Sequence, residues 1–262
     1  DRFAEFPINI DKLSRLQTSS SKNNILEKLA NKQIDIIIGT HSLLNKNIKF
    51  DNLGLLIIDE EHKFGVAAKE KIKNLKKSID VIALSATPIP RTLNTALSQI
   101  KDLSIINSPP TGRKSIDTKI LEWDEVIISD AIQREIQRGG QIYYVHNDIK
   151  SMQSEVDKIK NINKKIKIGI IHGQLKPNLI EKEMKNFLKQ KYDVLVCTSI
   201  IESGLDIPNV NTIIINDVVK FGLSQLHQIR GRVGRTSKQA YAYFIIKDKL
   251  KITKNAIKRL EA

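Results

Sequence analysis

The chain has 262 residues, enough for two ordinary domains that each bury a core, and its formal net charge is +14. It contains one cysteine, which excludes a disulfide framework or a cysteine-based zinc site within the chain. No apolar run approaches the roughly 20 residues of a membrane-spanning helix, and the first residues, DRFAEFPINI, lack the features of a signal peptide, so we expect a cytoplasmic protein without membrane contact.

The positive charge indicates a polyanionic partner, because lysine and arginine release condensed counterions when they neutralise nucleic-acid phosphates. A chain rich in Lys, Asn and Ile is also typical of an A- and T-biased genome, so part of the lysine excess carries no binding information. Residues 1–110 contain 16 Lys and Arg against 12 Asp and Glu, whereas residues 111–262 contain 27 against 17. The second half is therefore predicted to have the more basic surface.

The first half alternates strands and helices. A strand is predicted within residues 8–16 and a helix over residues 21–32, followed by three continuous apolar runs, IDIIIGTH, LGLLIIDEEH and VIALSATP. Such runs are typical of strands that are buried on both faces of a parallel sheet. Each run ends in polar residues, and ligands of open α/β sheets bind at the carboxyl ends of the strands, so we expect these polar residues to share one crevice.

Pro109 and Pro110, followed by TGRK, predict a linker that divides the chain into domains 1–110 and 111–262. The tetrapeptide GRKS at 112–115 is not a phosphate-binding loop, because GxxxxGK[ST] requires glycine where Asn107 stands. The second half then alternates strands (ILEW, QIYYVHN, IKIGIIHG, VLVCT, TIIIN and AYAYFII) with helices predicted over residues 125–138, 150–160 and 178–189. The fold class is α/β, with two tandem parallel-sheet domains.

Asp59 and Glu60 follow an apolar strand and are the most chemically specific pair in the chain. A Mg²⁺ ion that bridges nucleotide phosphates takes hard oxygen ligands, and a neighbouring carboxylate orients the attacking water, so Asp59 would hold the metal and Glu60 the water. An acidic turn after a strand is the alternative. Ser85 and Thr87 offer hydroxyls that either relay the state of the nucleotide or cap the helix that follows.

In the second half, Thr198 follows a strand, and its hydroxyl could touch a phosphate where Gly204 permits close approach of the backbone. An N-capped helix terminated by glycine is the alternative. Arg230, Arg232 and Arg235 surround two glycines, and a guanidinium can stabilise charge on a transferring phosphoryl group. A basic, solvated helix end explains the arginines equally well. Cys197 lies inside an apolar run and is predicted to be a buried small hydrophobe.

The ordered series of these motifs resembles the superfamily 2 helicases. The matching segments are GTH at 39–41, DEEH at 59–62, SATP at 85–88, HND at 146–148, HGQ at 172–174, TSIIESGLDIP at 198–208 and QIRGRVGR at 228–235. In detail the chain resembles the translocase module of the bacterial transcription-repair coupling factors, with the RecG branch-migration helicases as relatives. DEEHKFGV is similar to the coupling factors, whereas the RecG pattern usually has glutamine in place of Glu61.

The resemblance implies two RecA-like domains, with ATP and Mg²⁺ as cofactors and double-stranded DNA as partner. It implies that Asp59 and Glu60 are the magnesium and water-activating carboxylates, and that Arg232 and Arg235 act on the nucleotide from the second domain. Further nucleotide-site candidates are Glu61, His62, Gly204, Asp206 and Gln228. Candidates for DNA backbone contacts are Thr40, Arg91, His146 and Thr198, and Ser85 and Thr87 would couple the two sites.

No GxxxxGK[ST] pattern occurs in the 262 residues, and in the resembled family this loop lies upstream of the segments matched here. We therefore expect a fragment that begins within the first RecA-like domain. The resemblance implies an ATP-dependent translocase that displaces stalled RNA polymerase and promotes excision repair, with RNA polymerase and repair proteins contacted through regions outside this chain. A RecG-like branch-migration helicase and a non-catalytic DNA-binding module are the alternatives.

Overall fold

The computed structural model describes residues 3–14, 17–45, 48–60, 64–75, 79–85, 104–106, 108, 112, 114–203 and 207–247. The chain forms two compact units, Asp1–Ala86 and Thr87–Ala262, here called unit 1 and unit 2. Around the predicted boundary at residue 110, the structure describes only short stretches of the chain. The linker position therefore stays a prediction.

Unit 1 contains parallel strand pairs and helices. Its elements are β1 (Ile10–Leu13), α1 (Ser19–Ala30), β2 (Ile36–Gly39), a 3-10 helix (His41–Leu44), β3 (Leu55–Asp59), α2 (Val66–Leu75) and β4 (Asp80–Leu84). Strand β1 pairs in parallel with β2, and β3 pairs in parallel with β4. Helix α1 begins where the Thr18 hydroxyl accepts a hydrogen bond from the Ser21 amide. The parallel arrangement predicted from the sequence is confirmed.

The burial of the strands in unit 1 differs from the prediction. Ile58 is buried, but its neighbour Ile57 is 59% exposed and Ile82 on β4 is 48% exposed. Successive side chains of a strand point to opposite faces, so one face of the β3–β4 pair is packed and the other is accessible. A continuous apolar run does not by itself show that both faces are covered, and the prediction of burial on both faces is wrong for this pair.

Unit 2 is built on one sheet formed by six of its described strands, which are β5 (Asp117–Glu122), β6 (Gln141–Val145), β7 (Ile168–Ile171), β8 (Val194–Cys197), β9 (Val210–Ile215) and β10 (Tyr241–Ile246). All six are parallel, in the order β5-β10-β9-β6-β8-β7. The helices that join them are α3 (Glu125–Gln137), α4 (Met152–Ile162), α5 (Pro177–Leu188) and α6 (Leu223–Arg230).

The sheet of unit 2 is covered on both faces. One core contains Phe187 of α5 and Ile229 of α6, and the other contains Ile132 of α3 and Ile159 of α4. Strands β6, β8 and β9 are buried along their whole length, as their uninterrupted apolar sequences predict. The carboxyl ends of these strands therefore lie at one edge of a rigid layer. Among the described residues, no helix is both long and apolar enough to span a membrane.

Two adjacent residues of α5 test this core. Phe187 is fully buried and its ring lies 5.6 Å from that of Tyr143, whereas Leu188 is 47% exposed. We expect Phe187→Ala to lower the free energy of unfolding of unit 2 by about 3 to 5 kcal/mol, because the lost ring leaves a cavity. Leu188→Ala should change it by only about 0.5 kcal/mol. Urea unfolding followed by circular dichroism measures both, and equal losses would contradict the assigned packing.

Candidate functional site

The carboxyl edge of the unit 2 sheet brings together several residues that the sequence singles out. The His146 amide donates to the Cys197 carbonyl at 2.8 Å, and the Asn216 amide donates to the Val145 carbonyl at 2.9 Å. These two hydrogen bonds continue the parallel ladders beyond the ends of β6, β8 and β9. His146, Thr198 and Asn216 therefore follow three neighbouring strands at one edge, where α/β proteins place their ligands.

His146 is only 7% exposed, and both of its ring nitrogens are hydrogen-bonded. The Asn216 amide nitrogen lies 3.2 Å from His146 Nδ1, and an amide nitrogen can only donate, so Nδ1 accepts. The ring proton is then on Nε2, which donates to the Ser151 hydroxyl at 2.8 Å. Ser151 in turn donates to Asp148 Oδ2 at 2.8 Å. This chain of hydrogen bonds fixes the neutral Nε2–H tautomer of the imidazole.

Burial lowers the pKa of His146 below the ordinary value of 6.5, because the surroundings disfavour the imidazolium ion. The negative charges of Glu155 and Asp148 act in the opposite direction and are outweighed. The Ser151 hydroxyl, which donates to Asp148, lowers the pKa of that exposed carboxyl group. His146 is thus held neutral at an edge where phosphates are expected, and a contact with DNA backbone would require it to exchange an existing hydrogen bond.

Thr198 begins the segment that follows β8. Its amide donates to the Ile171 carbonyl at 3.2 Å, and the next amide, that of Ser199, donates to Asn147 Oδ1 at 2.9 Å. A 3-10 helix (Ser199–Ser203) follows and packs against α6. Asn147 therefore ties the turn after β6 to the turn after β8. The predicted nucleotide residues Gly204 and Asp206 lie outside the described residues.

Cys197 closes β8 and is fully buried. Burial raises the pKa of its thiol, which keeps it protonated and unreactive. The Sγ atom lies 3.8 Å from the Tyr144 carbonyl, to which the thiol donates. The prediction of a small buried hydrophobe without a nucleophilic role agrees with this environment.

The arginine cluster follows α6 in a tight turn. The Gly231 amide donates to the His227 carbonyl at 2.9 Å and the Arg232 amide to the Ile229 carbonyl at 3.1 Å, which closes the end of the helix. Gly234 has a φ of +72°, and a Cβ there would lie 3.1 Å from Ala240 and 3.2 Å from Ile116. The positive φ favours glycine at this position, and a Cβ would in addition be tightly packed against these two side chains.

Within this turn the buried Val233 anchors the chain, while Arg232 is half-buried and Arg235 is exposed. The turn thus presents Arg235 to solvent from a fixed backbone. Gln228 is 8% exposed, and its Nε2 group is buried without a hydrogen-bond acceptor among the described residues. A buried amide donor without an acceptor costs about 1 to 3 kcal/mol, so a bound ligand that supplied an acceptor to Gln228 would remove this cost. Its nucleotide-binding role stays a prediction.

In unit 1, Asp59 ends β3 with an exposed side chain, and Glu60 follows it. Glu60 has a φ of +54°, and its amide donates to the Leu84 carbonyl at 2.9 Å, next to Ser85. A non-glycine residue in the left-handed region costs of order 1 kcal/mol and is concentrated at functional sites. This conformation places Glu60 beside the carboxyl end of β4, so two of the three predicted polar strand ends do adjoin.

The remaining candidates of unit 1 are only partly described. Thr40 is exposed, and its hydroxyl lies 3.1 Å from that of Ser42. His41 stacks on Phe64 with ring centroids 4.3 Å apart, which agrees with a structural role for this histidine. Glu61, His62, Thr87 and Arg91 lie outside the described residues. Among the described residues, no group of three or more His, Cys, Asp or Glu side chains is placed to hold a metal ion.

Three residues without a role predicted from the sequence hold the carboxyl edge together: Asn147, Ser151 and Asn216. Asn216 directly follows β9 and Asn147 is the second residue after β6, and this position at a strand end is the signal that the sequence offers. The pairing of His146 with Asn216 spans 70 residues and depends on the order of the strands.

The tautomer of His146 gives a pH-dependent prediction. The pKa of His146 in the folded protein lies below the ordinary 6.5, so as the pH falls the unfolded chain binds a proton at a higher pH than the folded protein does. The stability of the folded state is therefore full above pH 6.5 and declines as the pH falls below it. We expect the unfolding free energy of unit 2 to fall between about pH 7 and about pH 5, and to fall less in His146→Gln.

Two measurements check this expectation. Burial and the Arg230 charge also lower the pKa of His227, so His227→Gln should reduce the fall in stability as well and measures the contribution of this second histidine. The imidazole resonances of His146, followed by NMR, should titrate with a midpoint below 6.5. A midpoint at or above that value would contradict the assigned hydrogen-bond chain.

Two family models match the chain. Residues 1–96 match the DEAD/DEAH box helicase model, and residues 123–237 match the helicase conserved C-terminal domain model. A solved structure, described as RecG bound to a three-way DNA junction, is similar over 99% of this chain and 34% of its own, with 37% identity and a TM-score of 0.73. Both observations confirm two tandem helicase domains with parallel sheets, the predicted RecA-like arrangement.

Curated relatives align over the whole chain. The transcription-repair-coupling factors of Haemophilus influenzae and Escherichia coli are 50% and 48% identical to it over 262 residues, and that of Buchnera aphidicola is 51% identical over 261 residues. The chain spans 23%, 23% and 32% of the length of these relatives, respectively. The chain belongs to the superfamily 2 helicases, in the group that contains the transcription-repair-coupling factors and RecG.

Proposed function

We propose that this chain is part of an ATP-dependent translocase on double-stranded DNA, of the transcription-repair-coupling factor type. Such a protein would displace stalled RNA polymerase in the cytoplasm and promote excision repair, through regions outside this chain. The observation that supports the proposal is the alignment of the whole chain with coupling factors at about half identity. The geometry of both units adds polar residues at strand ends, where α/β proteins bind ligands.

The carboxylates of unit 1 fit a magnesium nucleotide. Mg²⁺ is usually held by one or two carboxylates, several waters and the phosphates of the substrate, so a cluster of three protein ligands is not required. Asp59, exposed at the end of β3, would supply one oxygen ligand. The bound ion would neutralise charge on the phosphates. In this proposal Glu60, held by its backbone in a left-handed conformation, orients the attacking water.

The proposed role of the arginine turn is to stabilise charge on the phosphates. The guanidinium is planar and always protonated, and an arginine that contacts a transferring phosphoryl group accelerates hydrolysis by about 10³- to 10⁵-fold. Arg235 is exposed on a turn whose backbone is fixed by Gly234 and the buried Val233. Arg232 and Gln228 lie on the same turn and helix, which supports a shared function for the three residues.

The carboxyl edge of unit 2 is the proposed DNA contact. Thr198 follows β8 at this edge, and a hydroxyl donor of this kind binds phosphate oxygens, whereas the Ser199 amide already donates to Asn147 Oδ1. His146 is proposed to act mainly by holding this edge in place, since both of its nitrogens are already bonded. The related RecG structure contains a three-way DNA junction, which supports a duplex substrate.

ATP hydrolysis by the full-length protein tests the assignment. We expect Glu60→Gln and Arg235→Ala each to reduce DNA-stimulated turnover by about 10³-fold or more, because water positioning and charge stabilisation are lost. Lys238→Ala is the matched control, since Lys238 is an exposed cation three residues beyond Arg235. Unchanged turnover in both site variants would defeat the proposed roles.

A second candidate is favoured by one sequence observation. The 262 residues contain no GxxxxGK[ST] pattern, so this polypeptide by itself would be a DNA-binding module without turnover. We expect the isolated chain to bind duplex DNA and to release no phosphate from ATP above the background rate. Robust ATP hydrolysis by the isolated chain, measured with a phosphate-release assay, would contradict this second candidate function.

A RecG-like branch-migration helicase is the remaining alternative within the family, supported by the 37% identity to RecG. The two proteins would differ in partner, because a coupling factor acts on RNA polymerase and a branch-migration helicase acts on DNA junctions alone. Co-sedimentation of the full-length protein with RNA polymerase separates them.

A further inference from the structure

The outer face of α5 carries a row of lysines that the proposed function does not use. Lys182, Lys185 and Lys189 lie three and four residues apart on the exposed side of α5, opposite the buried Met184 and Phe187. Lys191 is exposed just beyond the helix. We call these four lysines the α5 lysine face. Lys189 directly follows the last residue of α5, and at a rise of about 1.5 Å per residue Lys182 to Lys189 span roughly 10 Å along the axis.

The backbone holds the end of this row in a fixed conformation. The Gln190 amide donates to the Phe187 carbonyl at 2.9 Å, and the Lys191 amide donates to the Asn186 carbonyl at 3.0 Å. Gln190 has a φ of +57°, the left-handed conformation with which many helices end. The chain therefore turns sharply after Lys189, and the direction in which Lys191 leaves the helix is set.

Tyr192 anchors the same turn to the sheet. Its hydroxyl donates to Glu183 Oε2 at 2.6 Å, and its ring lies so close to Gly169 on β7 that a Cβ there would be 2.6 Å from the ring. The next residue, Asp193, accepts from the Lys167 amide at 2.8 Å. The hydrogen bond from Tyr192 thus engages Glu183 Oε2. The lysines at this end are thus presented from an ordered surface rather than from a flexible loop.

The acidic residues near the face do not neutralise it. Glu181 pairs with Lys185 at 2.7 Å, but the side chains of Glu181 and Lys185 are 49% and 67% exposed, so the pair contributes little and exchanges readily. Asn178 and Asn186 lie on the same outer side of α5 as the lysines. The two asparagines add neutral donors of the kind that bind phosphate oxygens.

The position of α5 relates this face to the proposed DNA contact. Strand β7 ends at the carboxyl edge and β8 begins at the opposite edge, so α5 runs from the proposed contact toward the far side of unit 2. The α5 lysine face occupies the C-terminal half of α5 and the turn beyond it, so it lies toward the opposite edge, apart from the proposed contact. Lysine is depleted in protein interfaces, whereas interfaces with DNA are strongly basic, so the chemistry of the row favours a nucleic acid over an acidic protein.

We propose that the α5 lysine face binds the phosphate backbone of duplex DNA as a second contact, separate from the carboxyl edge. Duplex DNA carries one negative charge per about 1.7 Å of its axis, so several phosphates face a row of this length. The contact needs no nucleotide and reads no sequence. It rests on the charge and order of this surface and does not depend on ATP hydrolysis.

A matched pair of triple variants tests the proposal. Lys182→Gln/Lys189→Gln/Lys191→Gln removes three charges from the face, and Lys28→Gln/Lys119→Gln/Lys160→Gln removes three from exposed lysines elsewhere. Binding of a short random-sequence duplex is measured by fluorescence anisotropy without nucleotide, at about 50 to 200 mM salt. We expect the first variant to bind at least about tenfold more weakly, with a salt slope that is smaller by about 2 to 3, since each phosphate contact contributes about 0.9.

The control variant should bind within about twofold of the original chain, with nearly the same slope. Equal losses in the two variants would show diffuse attraction to the net charge and overturn the proposal. Unchanged binding in the first variant would overturn it as well and leave an acidic protein as the partner to test. Circular dichroism melting verifies that both variants fold. None of these outcomes depends on ATP turnover, so failure here is distinguishable from failure of the proposed function.

Discussion

The parallel pairing of β6 with β8 on one side and β9 on the other is the constraint on which the carboxyl edge depends. Because the three strands run in the same direction in register, their last residues come level, and the ladder continues for one more hydrogen bond on each side. His146, Thr198 and Asn216 then follow neighbouring strands although they are far apart in the sequence. The buried apolar cores on both faces hold these strands in place.

The polar side chains at the carboxyl edge form a hydrogen-bond network that the buried strands hold in place. The neutral imidazole of His146 connects Asn216 to Ser151 and Asp148, and Asn147 connects the first turn to the second. His146 is the buried member of this network, and a buried polar side chain favours one arrangement only when its polar atoms have partners, as both ring nitrogens do here. Two residues adopt the left-handed conformation just after strands, Glu60 after β3 and Asp217 after β9. Such strain persists only where the surroundings determine it fully.

The basic character of unit 2 has two distinct parts. Arg232 and Arg235 lie on a turn that glycine makes possible, whereas the lysines of α5 lie on an ordinary amphipathic helix. The arginines suit a planar contact with phosphate, and the lysines suit a point-charge contact that tolerates many geometries. The proposed translocase would use both kinds of interaction, because it would act on a nucleotide and also hold DNA without reading its sequence.

The sequence by itself determined the alternation of strands and helices, the parallel sheets and the ordered motifs, because apolar periodicity and strand-end residues are local properties. It also determined Cys197 as a core residue. Only the tertiary structure decided that His146 is buried and fully bonded, since its partner Asn216 lies 70 residues away. The structure also decided that one face of β3 and β4 is accessible, because a continuous apolar run records hydrophobicity without recording what packs against it.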